Sequence, residues 1–145
     1  MEWAQICFCS VYMAYDRDST REFFSLVSHC KTNNIPMILG CDANAHHTSW
    51  GRSDINNRGE KLLEYLRGTN LIWVNKGNRP TFINKRRGEV IDLTLVSLDI
   101  SYLIDNWHVS DSPTLSDHAL IQFHVKDEIP VERIGMSTIP IWTFM

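Results

Sequence analysis

Long apolar runs are missing from this sequence. No stretch approaches the roughly 20 residues that a bilayer-spanning helix needs. The start, Met1-Glu2-Trp3-Ala4-Gln5, has no basic n-region of the kind that opens a signal peptide. These absences argue against a membrane protein or an exported one, so an intracellular location, nuclear or cytoplasmic, is expected. Cysteine is scarce as well. The four thiols, Cys7, Cys9, Cys30 and Cys41, lack the density of a disulfide framework. Cys7 and Cys9 would share one face of a strand, but no second close pair comes after them to complete a structural zinc site. Free, buried thiols in a reducing compartment are expected. Internal repeats and low-complexity segments are lacking, and so is a strong charge of either sign. With 14 Lys and Arg against 17 Asp and Glu, the formal charge is −3. That value neither favours nor excludes DNA as a partner, because a cation bound among carboxylates reverses the local sign.

What is present is an ordinary globular composition, 43% hydrophobic and 21% charged, in 145 residues that suit one domain. Trp3 to Tyr15 is rich in aromatic and branched residues and predicts a strand. After a turn at Asp16 to Ser19, the capping-box pattern Ser19-Thr20-Arg21-Glu22 opens a helix that carries Phe23, Phe24, Leu26 and Val27. Pro36 then precedes a buried strand, Met37 to Leu39, which ends at Gly40-Cys41-Asp42. Strand, helix, strand is the unit of an α/β sheet. Ala43 to Asn56 is a polar loop. A second cap, Asn57-Arg58-Gly59-Glu60, leads a helix with Leu62, Leu63 and Leu66 on one side and Gly68 as its stop. Short strands are predicted at Leu71 to Val74, Thr81 to Ile83, Val90 to Val96, Tyr102 to Val109 and Ala119 to Val125, with Asn84 to Glu89 as a hairpin loop between the second and third. Residues 1–125 thus form the domain, and 126–145 read as a tail or linker whose apolar residues Ile139, Ile141, Trp142 and Phe144 would be exposed unless covered.

Polar groups sit where these strands end. Tyr12 lies in Ser10-Val11-Tyr12, Asp42 and Asn44 in Gly40-Cys41-Asp42-Ala43-Asn44, Asp92 in Ile91-Asp92-Leu93-Thr94, and Asp117 with His118 in Ser116-Asp117-His118. Carboxylates beside apolar strands are costly unless paired or metal-bound. Asp, Asn and His without clustered Cys suit a hard, oxygen-liganded ion such as Mg²⁺, which can activate water and stabilise charge on a phosphoryl group. Each group also has a plainer reading. Asp42-Ala43-Asn44 could be an Asx turn, and Asp92 an interior carboxylate paired with Arg79 or Arg87. Asp117-His118 could be a turn with a satisfied histidine, Tyr12 a core aromatic, and Lys85-Arg86-Arg87 a solvated hairpin tip. His46-His47 does not suit zinc, since adjacent loop residues rarely share an ion and the H-x-x-x-H spacing is absent. Packing or DNA contact is expected there.

Order and spacing together go further. The succession S-x-Y, G-x-D-x-N, I-D-x-T and S-D-H, from about Cys7 to Val125, resembles the endonuclease/exonuclease/phosphatase superfamily, which includes apurinic/apyrimidinic endonucleases and DNase I. Asp42-Ala43-Asn44-Ala45-His46-His47 through Trp50-Gly51 is similar to the matching stretch of endonucleases from non-LTR (LINE) retrotransposons of the jockey-like groups. Asn57-Arg58-Gly59, Pro80-Thr81-Phe82 and the Asp92 strand are similar to the downstream motifs of those proteins. The resemblance implies a DNase I-like, four-layer αββα sandwich, of which this chain would be the C-terminal portion with the N-terminal part missing. That part brings the family's Asn and its Glu metal ligand, and neither Glu2 nor Glu22 stands in the right order to replace the Glu.

By the same resemblance, Asp42 would orient or deprotonate the attacking water and Asn44 would hold the phosphate. Asp117 would bind or position Mg²⁺ or Mn²⁺. His118, held by Asp92, would stabilise developing charge, and Tyr12 would donate to the phosphate. His46, Lys85, Arg86 and Arg87 are candidate DNA contacts. The implied reaction nicks DNA to a 3′-hydroxyl that a reverse transcriptase domain of the parent element could extend. A non-catalytic remnant that at most binds DNA or a partner is the alternative, and a phosphatase or exonuclease of the superfamily is a third.

Overall fold

A computed structural model describes residues 5–14, 21–126 and 141–144. The expected turn at Asp16 to Ser19, the first half of the capping box (Ser19 and Thr20) and residues 127–140 lie outside the described residues. Strand β1 (Cys7–Tyr12) is followed by helix α1 (Arg21–Thr32) and strand β2 (Met37–Asp42). β1 and β2 pair in parallel, which needs a crossover, and α1 supplies it. Helix α2 (Asn57–Arg67) and strand β3 (Leu71–Trp73) come next, then a small hairpin of β4 (Phe82–Ile83) and β5 (Gly88–Glu89). Strand β6 (Asp92–Ser97) runs antiparallel between β2 and β3, which completes a first sheet of order β1-β2-β6-β3. β7 (Ile104–Val109), β8 (Ile121–Val125) and β9 (Ile141–Phe144) form a second, antiparallel sheet.

Alternation along β2 explains the layers. Met37, Leu39 and Cys41 face the helices, where they join Phe23, Val27 and Cys30 of α1 and Leu62, Leu63 and Leu66 of α2. Ile38 faces the opposite way, into a core shared with Val96, Trp107, Val109, Ile121 and Phe123. β2 is buried on both faces, so it reads as a continuous apolar run. The result is helices on one side of the first sheet and the second sheet on its other side, in the order of the expected αββα sandwich. Among the described residues no helix covers the outer face of the second sheet.

Four boundaries differ from expectation. The cap of α2 is Asn56, one residue earlier than predicted, and its Oδ1 accepts from Gly59 N at 2.8 Å and from His46 N at 3.0 Å. β4 pairs with the two-residue β5, and the strand predicted from Val90 belongs instead to the first sheet as β6. Residues Leu98–Leu103 form 3-10 turns, so the strand predicted from Tyr102 begins only at Ile104. Finally, part of the predicted tail is structured: Ile141–Phe144 pair with β8 in the register Ile121↔Phe144 to His124↔Ile141. That pairing joins segments well apart in the chain, and local pattern does not reveal it.

Candidate active site

The register of three neighbouring strands builds the site. Tyr12 of β1 is the Cα partner of Asp42 of β2, and Asp42 is the Cα partner of Asp92 of β6. Since side chains alternate, all three share the face toward the second sheet, with Ile38 and Val96 further along it. They sit where β1 and β2 end and β6 begins. A cleft of about 340 Å³ opens there, lined by Ser10, Tyr12, Asp42, Asp92, Ser116 and His118 among others.

His118 arrives from the loop before β8. Its Nδ1 lies 2.9 Å from Asp92 Oδ2 and 3.1 Å from Oδ1, and its Nε2 is 3.8 Å from Asp42 Oδ2. With Nδ1–H donated to Asp92, the ring is fixed and its other nitrogen faces the Asp42 side of the cleft. Neither Arg79 nor Arg87 pairs with Asp92: Arg79 pairs with Asp111 and Arg87 with Glu89. Asp42 Oδ1 is buried and has no hydrogen-bond partner. Burial, and then the charge of Asp92, push the Asp42 carboxyl above its ordinary value, while His118, the Asn44 backbone N–H and Arg58 pull it back. One ligand atom from each of Asp42, Asp92 and His118 falls within 4.8 Å of the others. A set of hard donors with one orphaned buried oxygen fits a divalent cation.

The structure also places each of the other expected residues. Tyr12 is 64% exposed at the cleft mouth, not a core aromatic. Asn44 adopts a left-handed backbone (φ 48) and its Nδ2 donates to Met13 O at 3.0 Å, so the amide ties the loop to the end of β1. Asp117 is exposed and outside the three-residue cluster, and its carbonyl accepts from Ile83 N at 2.7 Å. Lys85, Arg86 and Arg87 are exposed at the hairpin tip, where Asn84 Oδ1 accepts from the backbone N–H of Arg86 and Arg87. His46 is held by Asp54, 2.9 Å from its Nδ1, and by Arg52.

Three further residues hold the site together through contacts that the sequence does not reveal. Thr81 is fully buried, and its Oγ1 accepts from Ile91 N at 3.1 Å and Asp92 N at 3.0 Å. Asn75 brackets the same strand, donating to Asp92 O and accepting from Thr94 N, both at 2.9 Å. Phe82 forms a bridge with His118 and meets its ring edge-on at 5.0 Å. Pro80-Thr81-Phe82 is legible as a motif, but only the folded chain shows its contact with Asp92 and His118.

Comparison with known proteins agrees with this arrangement. Residues 6–122 match the family described as endonuclease-reverse transcriptase. Among solved structures, the endonuclease domain of TRAS1, a telomere-specific non-LTR retrotransposon, is similar at 28% identity with a TM-score of 0.72. That match covers 81% of this chain and 56% of that one, so this chain spans little more than half of the solved domain. Among curated proteins there is no match. The matched span takes in every strand end of the site described above, and the chain belongs to the endonuclease-reverse transcriptase family, within the endonuclease/exonuclease/phosphatase superfamily and related to non-LTR retrotransposon endonucleases.

Proposed function

We propose that this chain carries a metal-dependent endonuclease site that hydrolyses a DNA phosphodiester. The observation that carries the reading is the convergence of Asp42, Asp92 and His118 within 4.8 Å of one another, beside an unpartnered buried oxygen of Asp42. A cation held by the carboxylates of Asp42 and Asp92, Mg²⁺ or Mn²⁺, would supply Lewis-acid stabilisation of charge on the phosphate oxygens. The exposed Asp117 would contact it from the rim.

The chain's own groups account for the rest. Asp42 orients the attacking water and takes its proton as the new P–O bond forms and the bond to the 3′-oxygen breaks. The departing 3′-oxygen takes a proton from bulk water, and the products are a 5′-phosphate and a 3′-hydroxyl. Asp92 accepts the Nδ1 proton of His118, which leaves Nε2 to stabilise negative charge on the phosphate when the ring is protonated. Tyr12, at the mouth, donates to the phosphate. Asn44 sets the course of the loop leaving β2 and, with its second amide hydrogen, contacts the same phosphate. Lys85, Arg86 and Arg87 project from the hairpin tip as contacts for the DNA backbone, with His46 behind them. The 3′-hydroxyl product suits extension by a reverse transcriptase domain, an activity that the family's description sets beside endonuclease, and such chemistry would run in the nucleus or the cytoplasm. Purified protein should nick supercoiled plasmid with Mg²⁺ or Mn²⁺ and not with EDTA, and Asp42→Ala should lower the rate by about 10³-fold or more. Equal nicking by wild type and Asp42→Ala would overturn the assignment.

A second reading has one observation in its favour: Asp117, the expected metal-binding residue, is exposed and stands outside the cluster of Asp42, Asp92 and His118. That reading is DNA binding without cleavage. It predicts salt-sensitive binding that Asp42→Ala leaves intact, with no turnover by the wild type.

A further inference from the structure

Among the described residues, Glu89 of β5 is the one charged side chain in the buried interior, and the chemistry above does not use it. Its Oε1 accepts from Arg52 Nη2 at 3.0 Å and lies 3.7 Å from His46 Nε2. Its other oxygen, Oε2, stands 3.2 Å from Arg87 Nε. Arg52 also faces Asp54 at 2.9 Å and reaches Gly88 O at 3.5 Å. One carboxylate therefore joins two guanidinium groups that come from different segments of the chain.

Each segment leads to the cleft. Arg52 and His46 belong to the loop that leaves β2 at Asp42. On the other side, Glu89 is the cross-strand partner of Phe82, and the Arg87 guanidinium stands over the Phe82 ring at 6.0 Å. That ring meets His118 edge-on. The same strand holds the His118 loop through two backbone bonds of 2.7 Å, Ile83 N to Asp117 O and Ala119 N to Thr81 O. A continuous path thus runs from the Asp42 loop through Glu89 and Phe82 to the imidazole.

We propose that Glu89 is a positioning residue for the hydrolysis, an inference that rests on the endonuclease reading. By binding Arg52 and Arg87 together it sets the angle at which the hairpin presents Phe82 to His118, and so where the imidazole stands against Asp92. Planar guanidinium groups accept few arrangements around a carboxylate. A neutral amide of the same size can accept from one of them but cannot balance both charges. A brace with no link to the site would change stability alone.

The test is Glu89→Gln, read in two ways. In plasmid nicking with Mg²⁺, kcat should fall about tenfold, the scale of a small misplacement of a reacting group, with KM within about twofold. In the metal-free, DNA-free protein, the imidazole NMR signals of His118 should move at fixed pH, and Glu89→Asp should bring them part of the way back. If Glu89→Gln does not fold, Arg87→Lys takes its place, since it keeps the charge but loses the planar fork over Phe82. Wild-type kcat together with unmoved His118 signals in the variant that folds overturns the proposal, even if the melting temperature drops. Should the wild type itself fail to nick, the endonuclease reading fails, and the His118 signals still decide the positioning role.

Discussion

The Thr81 hydroxyl offers a measurable link between packing and the site. Thr81→Val keeps the shape of the side chain but removes the oxygen that accepts from Ile91 N and Asp92 N, and Thr81 is 0% exposed, so water cannot substitute. Leaving a buried backbone N–H unsatisfied costs about 1–3 kcal/mol. Two such groups sharing one acceptor should cost roughly 2–5 kcal/mol in total. Against a typical stability of about 5–15 kcal/mol this is a large fraction, and for a chain of this size it corresponds to a fall in Tm of roughly 4–20 °C. Thr81→Ser retains the oxygen and loses one methyl group, so it should cost about 1 kcal/mol. Urea unfolding of the three proteins gives the free energies. Nicking, measured well below every midpoint, should be reduced in the valine variant beyond any loss in folded fraction, because one orphaned N–H belongs to Asp92 itself. A valine variant as stable and active as the serine variant would refute the role given to this hydroxyl.

Two other outcomes are expected. A Cβ on Gly59 would lie 1.9 Å from His46 O, so Gly59→Ala must push the start of α2 off the loop that leaves Asp42. A loss of about 3 kcal/mol or more is expected from such overpacking, and circular dichroism melts would show it; an unchanged melt would mean that the helix and loop are not in contact. The thiols provide a third check, because the thiolate is the reactive form. Burial first, then the nearby Cys7, push the Cys30 thiol up to about 11. Burial, and then Asp42 and Asp92, push Cys41 up as well. At pH 8 both should resist iodoacetamide in the folded protein, and reactivity should appear only as pH rises well above that or when urea is added. Mass spectrometry showing Cys41 alkylated at its unfolded rate would contradict the burial.

What could be read in the sequence was whatever depends on neighbours in the chain. The apolar run that ends at Asp42, the leucine stripe of α2 and the basic hairpin tip are all short-range patterns, and the structure places each near its expected position. The cap of α2 lies one residue early because Asn56 and Asn57 are both capable of it, and the choice turns on which one can also reach His46 N. Contacts across the fold were not legible. Nothing in Ile141–Phe144 identifies β8 as its partner, and nothing near Glu89 announces Arg52, which lies far away in the chain. The motifs around Asp92 and Asp117-His118 stand out in the sequence, but their division of labour does not: His118 joins Asp42 and Asp92, whereas Asp117 stays outside that cluster.

The row formed by Tyr12, Asp42 and Asp92 makes the site intolerant of one kind of genetic change. A single-residue insertion or deletion inside β2 or β6 would rotate a carboxylate onto the helix-facing side of the sheet, among leucines, even if every hydrogen bond of the ladder re-formed. Slippage by one codon within a few residues of Asp42 or Asp92 should therefore silence an otherwise well-folded copy.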